Sequence, residues 1–171
     1  IKQHKGYIDL ESAEGVGTTF TIYLPSCGQS GCAIEESTSS SELSGSGTVL
    51  VMDDEDDILT TITMMLKHLG YSPFTAEKGE TALELYSNEL DAGRRFSCVI
   101  LDLTVPGGMG GVETISRLYE MDPDVTAIVS SGYSNDMVMS EYEKYHFKDV
   151  ITKPYTTTEL GKVLRKVVGT G

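Results

Sequence analysis

Val49-Leu-Val-Met-Asp-Asp-Glu-Asp-Asp-Ile-Leu59 is the stretch from which the fold can be read. A short apolar run with β-branched Val49 and Val51 ends abruptly in five consecutive acidic residues. The apolar positions that follow, Ile58, Ile62, Met65, Leu66 and Leu69, return at the spacing of one helical face. A strand therefore passes directly into a helix. Outward from this point the same alternation repeats. Apolar runs fall at Val49 to Met52, Tyr71 to Thr75, Cys98 to Leu101, Val125 to Val129 and Val150 to Thr152. Between and after them, helices are predicted over Asp56 to Leu69, Lys78 to Asp91, Gly110 to Glu120, Asn135 to Tyr145 and Thr157 to Val168. Five strands alternating with five helices predict an α/β fold, a doubly wound five-stranded parallel sheet covered on both faces. In such a sheet the chemistry belongs outside the carboxyl ends of the strands, near the reversal in strand order.

The composition agrees with a globular protein. Of 171 residues 39% are hydrophobic and 23% charged, with 18 Gly and 5 Pro. Lys and Arg number 13 against 26 Asp and Glu, a formal charge of −13. That balance argues against nucleic acid as a ligand, because phosphate-backbone binding needs clustered cations. No apolar run approaches the roughly 20 residues of a membrane-spanning helix, so no membrane contact is expected of these residues. Three cysteines, Cys27, Cys32 and Cys98, give an odd number without metal-ligand spacing, which favours a reducing cytoplasm over a disulfide framework.

Before the alternating region the pattern differs. Tyr7-Ile-Asp-Leu10 and Thr19-Phe-Thr-Ile-Tyr-Leu24, joined through the turn-prone Glu14-Gly15-Val16-Gly17, read as a β-hairpin too small to stand alone. Residues 26–47, rich in Ser, Gly, Thr and Glu, read as a linker. The expected organisation is 1–25, 26–47 and a main domain over 48–171. A start at Ile1 within patterned sequence suggests a piece of something longer.

The predicted strand ends carry the chemistry. The first ends in Asp53-Asp54, the third in Leu101-Asp102-Leu103-Thr104, the fourth in Ser130-Ser131-Gly132 and the fifth in Thr152-Lys153-Pro154. Carboxylates with a backbone carbonyl suit Mg²⁺, an oxygen-seeking octahedral cation. Lys153 would offset negative charge and hold a phosphoryl oxygen. A carboxylate beside a metal can take up a phosphoryl group as an acyl phosphate, and Asp102 is the best placed. Each piece has an ordinary structural explanation when taken alone: acidic residues open helices, Asp sits in turns, and Lys-Pro ends strands. Their order and common placement point to the site.

Val49 to Leu59, Val99-Ile-Leu-Asp-Leu-Thr-Val-Pro-Gly-Gly-Met-Gly-Gly111, Ser131-Gly132 and Thr152-Lys-Pro-Tyr155 together resemble the receiver domains of two-component signalling, over about Thr48 to Val168. The resemblance implies a flavodoxin-like receiver fold. It implies Asp102 as phosphoacceptor, with Mg²⁺ on Asp53, Asp54, Asp102 and the Thr104 carbonyl, and Lys153 on the phosphoryl group. Ser131, directly before Gly132, would be the switch hydroxyl, leaving Ser130 in the strand. Thr104 and Tyr133 occupy positions that modulate dephosphorylation in the family; Tyr133 is equally readable as surface. Two departures stand out. Val150 replaces the usual aromatic, so coupling through an aromatic switch is not expected. The Pro106 to Gly111 loop carries an additional Gly, which predicts greater mobility.

Ile1 to Ser12 with Gly15-Val-Gly-Thr-Thr-Phe-Thr-Ile-Tyr-Leu-Pro25 resembles the end of the ATP-binding domain of sensor histidine kinases, Gly15 and Gly17 being the remnant of its last glycine box. The rest of that domain is absent, so ATP would bind only in the intact parent, a hybrid sensor kinase, and the residues present are no active kinase. His4 is read as packing or surface. The implied partners are the kinase phosphohistidine domain, in cis or in trans, and a histidine phosphotransfer protein; the unpaired hairpin leaves a homodimer open. The parent's membrane attachment lies outside these residues. Two other classes compete: a receiver fold that no longer carries phosphate, and an aspartyl-phosphate phosphatase. The phosphatase is disfavoured because position 104 is Thr where its general-acid Asp is expected.

Overall fold

The computed structural model describes residues 5–25, 45–132 and 137–169. The chain divides into two units, residues 1–38 and 39–171.

In the first unit β1 (Tyr7–Ala13) pairs antiparallel with β2 (Gly17–Tyr23), Tyr7 opposite Tyr23 and Ala13 opposite Gly17. Gly15 at φ 76° and Gly17 at φ 128° turn the chain in a region that side chains resist. Ile8, Leu10, Phe20 and Ile22 share one face by register, and all four are exposed. Tyr7 and Tyr23 meet on the other, ring centroids 6.1 Å apart.

The second unit runs β3 (Thr48–Met52), α1 (Asp56–His68), β4 (Ser72–Ala76), α2 (Gly79–Asp91), β5 (Cys98–Asp102), α3 (Gly111–Met121), β6 (Ala127–Ser131), α4 (Met137–Ser140), a 3-10 turn (Tyr142–Tyr145), β7 (Asp149–Thr152) and α5 (Thr157–Val168). The sheet order is β4-β3-β5-β6-β7, with every neighbouring pair parallel. The expected doubly wound sheet is therefore present. From β3 the chain moves first to one side and then to the other, so the order reverses between β3 and β5.

Period-two alternation sends successive strand residues into two cores. Leu50, Leu101 and Val129 pack with Tyr86, Ile115, Leu118 and Phe147 from α2, α3 and the segment before β7. Val51, Ile100, Ile128 and Ile151 pack with Ile62, Leu66, Leu160 and Leu164 from α1 and α5. Each such fully buried aliphatic side chain contributes about 2 kcal/mol by removal from water. Helix α5 opens on a capping box: Glu159 N–H donates to Thr156 Oγ1 at 3.2 Å, and Thr156 N–H donates to Glu159 Oε2 at 2.7 Å.

One expected element is different. Of the helix predicted over Asn135 to Tyr145, the described residues form α4 over Met137–Ser140 and then a 3-10 turn over Tyr142–Tyr145 rather than one continuous helix. Val138, Tyr142 and Tyr145 keep helical spacing and pack on the core. His146 then adopts a left-handed φ of 67°, which reverses the chain and delivers Phe147 into the core at 2% exposure. The tertiary demand to bury Phe147 overrides the local period. Asn135 itself, Tyr133, His4, Cys27 and Cys32 lie outside the described residues.

Candidate functional site

The alternation that builds the α1/α5 core also builds the site. Two residues beyond Val51, Ile100, Ile128 and Ile151 on that same side of the sheet come Asp53, Asp102, Ser130 and Lys153. Asp102 lies in register with Ser130, and Ser130 with Ile151. The apolar layer thus ends in a polar one at the carboxyl edge of the four strands β3, β5, β6 and β7.

Lys153 is the hub. Its Nζ donates to Asp53 Oδ2 at 2.5 Å and to Asp102 Oδ1 at 2.8 Å. The remaining oxygens are held by backbone: Glu55 N–H donates to Asp53 Oδ1 at 3.1 Å, and Thr104 N–H to Asp102 Oδ2 at 3.3 Å. Burial pushes the Asp102 carboxyl above its ordinary value; Lys153 works against the rise and Asp53 adds to it. Burial opposes the Lys153 ammonium, but the bonds to Asp102 and Asp53 outweigh it, and its pKa is raised.

The loop after Asp102 is fixed by close approach. A Cβ on Gly111 would stand 2.6 Å from the Asp102 carbonyl oxygen, and one on Gly110 2.6 Å from that of Leu103. Only glycines let the start of α3 lie so near the strand end. Gly79 N–H at the start of α2 donates to the Met109 carbonyl at 3.1 Å, anchoring the same loop.

Asp54, Glu55, Asp102, Thr104, Pro106, Ser131, Gly132 and Lys153 line an open cleft of about 250 Å³. Carboxylate oxygens of Asp53, Asp54 and Asp102 lie within 4.8 Å of one another. Among the described residues one ammonium meets the carboxylates of Asp53 and Asp102, Asp54 and Glu55 line the same cleft, and the candidate metal ligands are all oxygen. Such a set fits a small divalent cation such as Mg²⁺. Asp53, Asp54, Asp102, Thr104, Ser131 and Lys153 are thus brought together at one edge of the sheet. Tyr133 falls outside the described residues, and Gly15 and Gly17 shape the hairpin turn. Sequence reading assigned no role to Glu55 in the cleft wall or to Tyr155 beneath it. Tyr155 follows Lys153-Pro154, and only the fold brings its hydroxyl below the strand ends.

A doubly wound five-stranded sheet with an aspartate trio and a lysine at its reversal point defines the receiver class of signalling domains. The family described as the response regulator receiver domain matches residues 49–165, and the chain belongs to it. It is a receiver domain of two-component signalling, a class that binds Mg²⁺ at an aspartate cluster and takes phosphoryl groups from histidine kinases. The sensor kinase CckA of Brucella abortus is 29% identical over 98% of this chain, which spans only 18% of that protein. The sporulation initiation phosphotransferase F of Bacillus subtilis is 25% identical over 69% of this chain and 90% of its own length. Among solved structures, the receiver domain of a Pseudomonas aeruginosa sensor histidine kinase, with a magnesium ion in its active-site cleft, shares the fold. Its TM-score is 0.64 at 19% identity, covering 74% of this chain and all of that one. Among the described residues, no helix is long and apolar enough to cross a membrane.

Proposed function

We propose that Asp102 accepts a phosphoryl group from a phosphohistidine. The observation that carries this reading is that Asp102, alone of the acidic trio, both lines the cleft and touches Lys153. Asp53 touches Lys153 but does not line the cleft, and Asp54 lines it without touching Lys153. A carboxylate oxygen of Asp102 attacks phosphorus while the bond from phosphorus to the imidazole nitrogen breaks, giving an acyl phosphate; the electron pair stays on that nitrogen, which takes a proton from solvent to leave a neutral histidine. Asp53, Asp54, Asp102 and the Thr104 carbonyl would hold Mg²⁺, which supplies charge neutralisation for the phosphoryl oxygens. Lys153 exchanges its Asp102 contact for a phosphoryl oxygen. Ser131, at the cleft wall, turns toward the new oxygens and biases the loop that follows it. Thr104 and Tyr133 bear on the lifetime of the phosphorylated state.

The alignment with a sensor kinase over nearly the whole chain, including residues 1–47, supports a hybrid sensor kinase as parent. In that reading residues 1–25 close an ATP-binding domain, with Gly15 and Gly17 in its glycine box, 26–47 link, and 48–171 receive. The site is cytoplasmic, with the kinase's own phosphohistidine as donor and a histidine phosphotransfer protein as acceptor.

Intact mass after incubation with Mg²⁺ and acetyl phosphate tests the acceptor. A phosphoryl adduct is expected that needs Mg²⁺ and disappears in Asp102→Asn. An adduct that survives in the variant refutes the assignment of Asp102, and none in the wild type refutes phosphoryl acceptance.

A further inference from the structure

Beneath the acidic trio two hydroxyls are left over. Ser130 Oγ and the Tyr155 hydroxyl are both buried, and among the described residues neither has a hydrogen-bond partner. Unpartnered buried polar groups are costly and uncommon, and the rest of this layer, Ile128, Ile151 and Leu160, is apolar. Both belong to the α1/α5 side of the sheet: Ser130 follows Ile128 by two residues in β6, and Tyr155 packs against that same core. Burial raises the Tyr155 phenol to about 12, the Ser130 hydroxyl opposes that rise, and Lys153, Asp53 and Asp102 all act on the phenol. Their attachments differ. Ser130 is 1% exposed in a central strand, directly in register with Asp102. Tyr155 is two residues after Lys153, and its ring lines an apolar groove of about 160 Å³ with Ile58, Ile62, Met65 and Pro154. One hydroxyl is fixed to the acceptor strand and the other to the lysine turn, so a bond between them would tie Lys153 to Asp102 from below.

We propose that Ser130 and Tyr155 are a positioning pair for phosphoryl transfer: the two unpartnered hydroxyls close on each other, and the bond so formed sets the lysine-bearing turn against the strand that carries Asp102. The inference rests on Asp102 being the acceptor. Neither hydroxyl touches the reacting atoms; the pair acts through Lys153. Ser130 is the fixed member, and Tyr155, with its ring at the groove surface, is the one that adjusts.

The test uses the full chain with Mg²⁺ and acetyl phosphate, measuring phosphorylation rate against donor concentration for wild type, Tyr155→Phe, Ser130→Ala, the double variant and Ser130→Thr. Loss of one hydrogen bond predicts a maximal rate about fivefold lower in each single variant, with half-saturating donor unchanged. The double variant is expected to be no slower than either single, and Ser130→Thr, which keeps a hydroxyl, to restore the rate. Single variants at the wild-type rate, or effects that multiply in the double variant, overturn the pair while leaving the acceptor reading intact. A wild type that takes no phosphoryl group overturns both. A slow variant with an unchanged double-variant pattern but no rescue by Ser130→Thr assigns the effect to packing and also overturns the pair.

Discussion

Replacing Lys153 with Met removes a buried cation while keeping the length of its stem. The ammonium lies 2.5 Å from Asp53 and 2.8 Å from Asp102, with Lys153, Asp53 and Asp102 side chains 15%, 2% and 10% exposed. At an effective dielectric near 20, each contact is worth about 6 kcal/mol of gross attraction, most of which is cancelled by taking the ions out of water. What the variant feels is two carboxylates left close together without a cation. Breaking a buried pair in this way costs about 3–5 kcal/mol, and a site open on its cleft side belongs at the lower end, about 3 kcal/mol. For a domain of this size that is a fall in Tm of roughly 12 °C. The signature lies in what restores the loss. Added Mg²⁺ should stabilise the variant more than the wild type, because ligand binding to the folded state adds stability and the variant's site has lost its competing cation. Lowering the pH should narrow the gap as well, since the already raised pKa of Asp102 lets it take up a proton and end the repulsion. Urea unfolding followed by circular dichroism, with and without Mg²⁺ at several pH values, measures all of this. A loss below about 0.5 kcal/mol, or a loss indifferent to both Mg²⁺ and pH, would refute the account of the site as a cation-balanced acidic cluster.

The Gly111→Ala variant puts a Cβ 2.6 Å from the Asp102 carbonyl oxygen, so the backbone must shift at about 1–3 kcal/mol; reduced thermal stability and slower phosphorylation are expected together, and a variant unchanged in both would contradict the close approach. Because burial raises the Asp102 pKa and the nucleophile is the ionised form, phosphorylation by acetyl phosphate should decline on acidification with a midpoint above the ordinary carboxylate range near 4; a rate that holds level to that range would count against Asp102 as nucleophile. Far from the cleft, the Tyr86 hydroxyl donates to Asp122 at 2.9 Å, both residues being buried, so Tyr86→Phe should lower unfolding free energy by about 1–2 kcal/mol and leave phosphorylation untouched, as stability and rate measurements on the one variant will tell.

The strand ends were legible because strand, turn and acid follow one another within a few residues, as in Val49 to Asp54, and because Lys153-Pro154 closes the last strand. What joins them is not local. That Asp102 and Ser130 share a register, and that Lys153 bridges two aspartates on different strands, follows from the sheet order β4-β3-β5-β6-β7. The segment after β6 misled the period because Val138, Tyr142 and Tyr145 do face the core at helical spacing, yet the left-handed turn at His146 needed to bury Phe147 shortens the helix. Ser130 was legible as a strand residue and silent as anything more, since its neighbour Tyr155 comes from another strand's exit. The extra glycine in the loop was read as mobility; Gly110 and Gly111 have in addition a steric reason to be glycine.

The bond from Lys153 to Asp53 spans 100 residues of chain. A contact so distant in sequence closes a large loop, and the entropy of closure is met only when the intervening strands are already in place. Synthesis proceeds from the amino end, so Asp53, Asp54 and Asp102 emerge and can assemble with β3 and β5 well before the residue that neutralises them. Until β7 docks, the nascent sheet carries a self-repelling rim without the lysine that balances it and holds a phosphoryl oxygen. Readiness to receive a signal is thereby a certificate of complete folding, and a chain halted short of β7 stays mute.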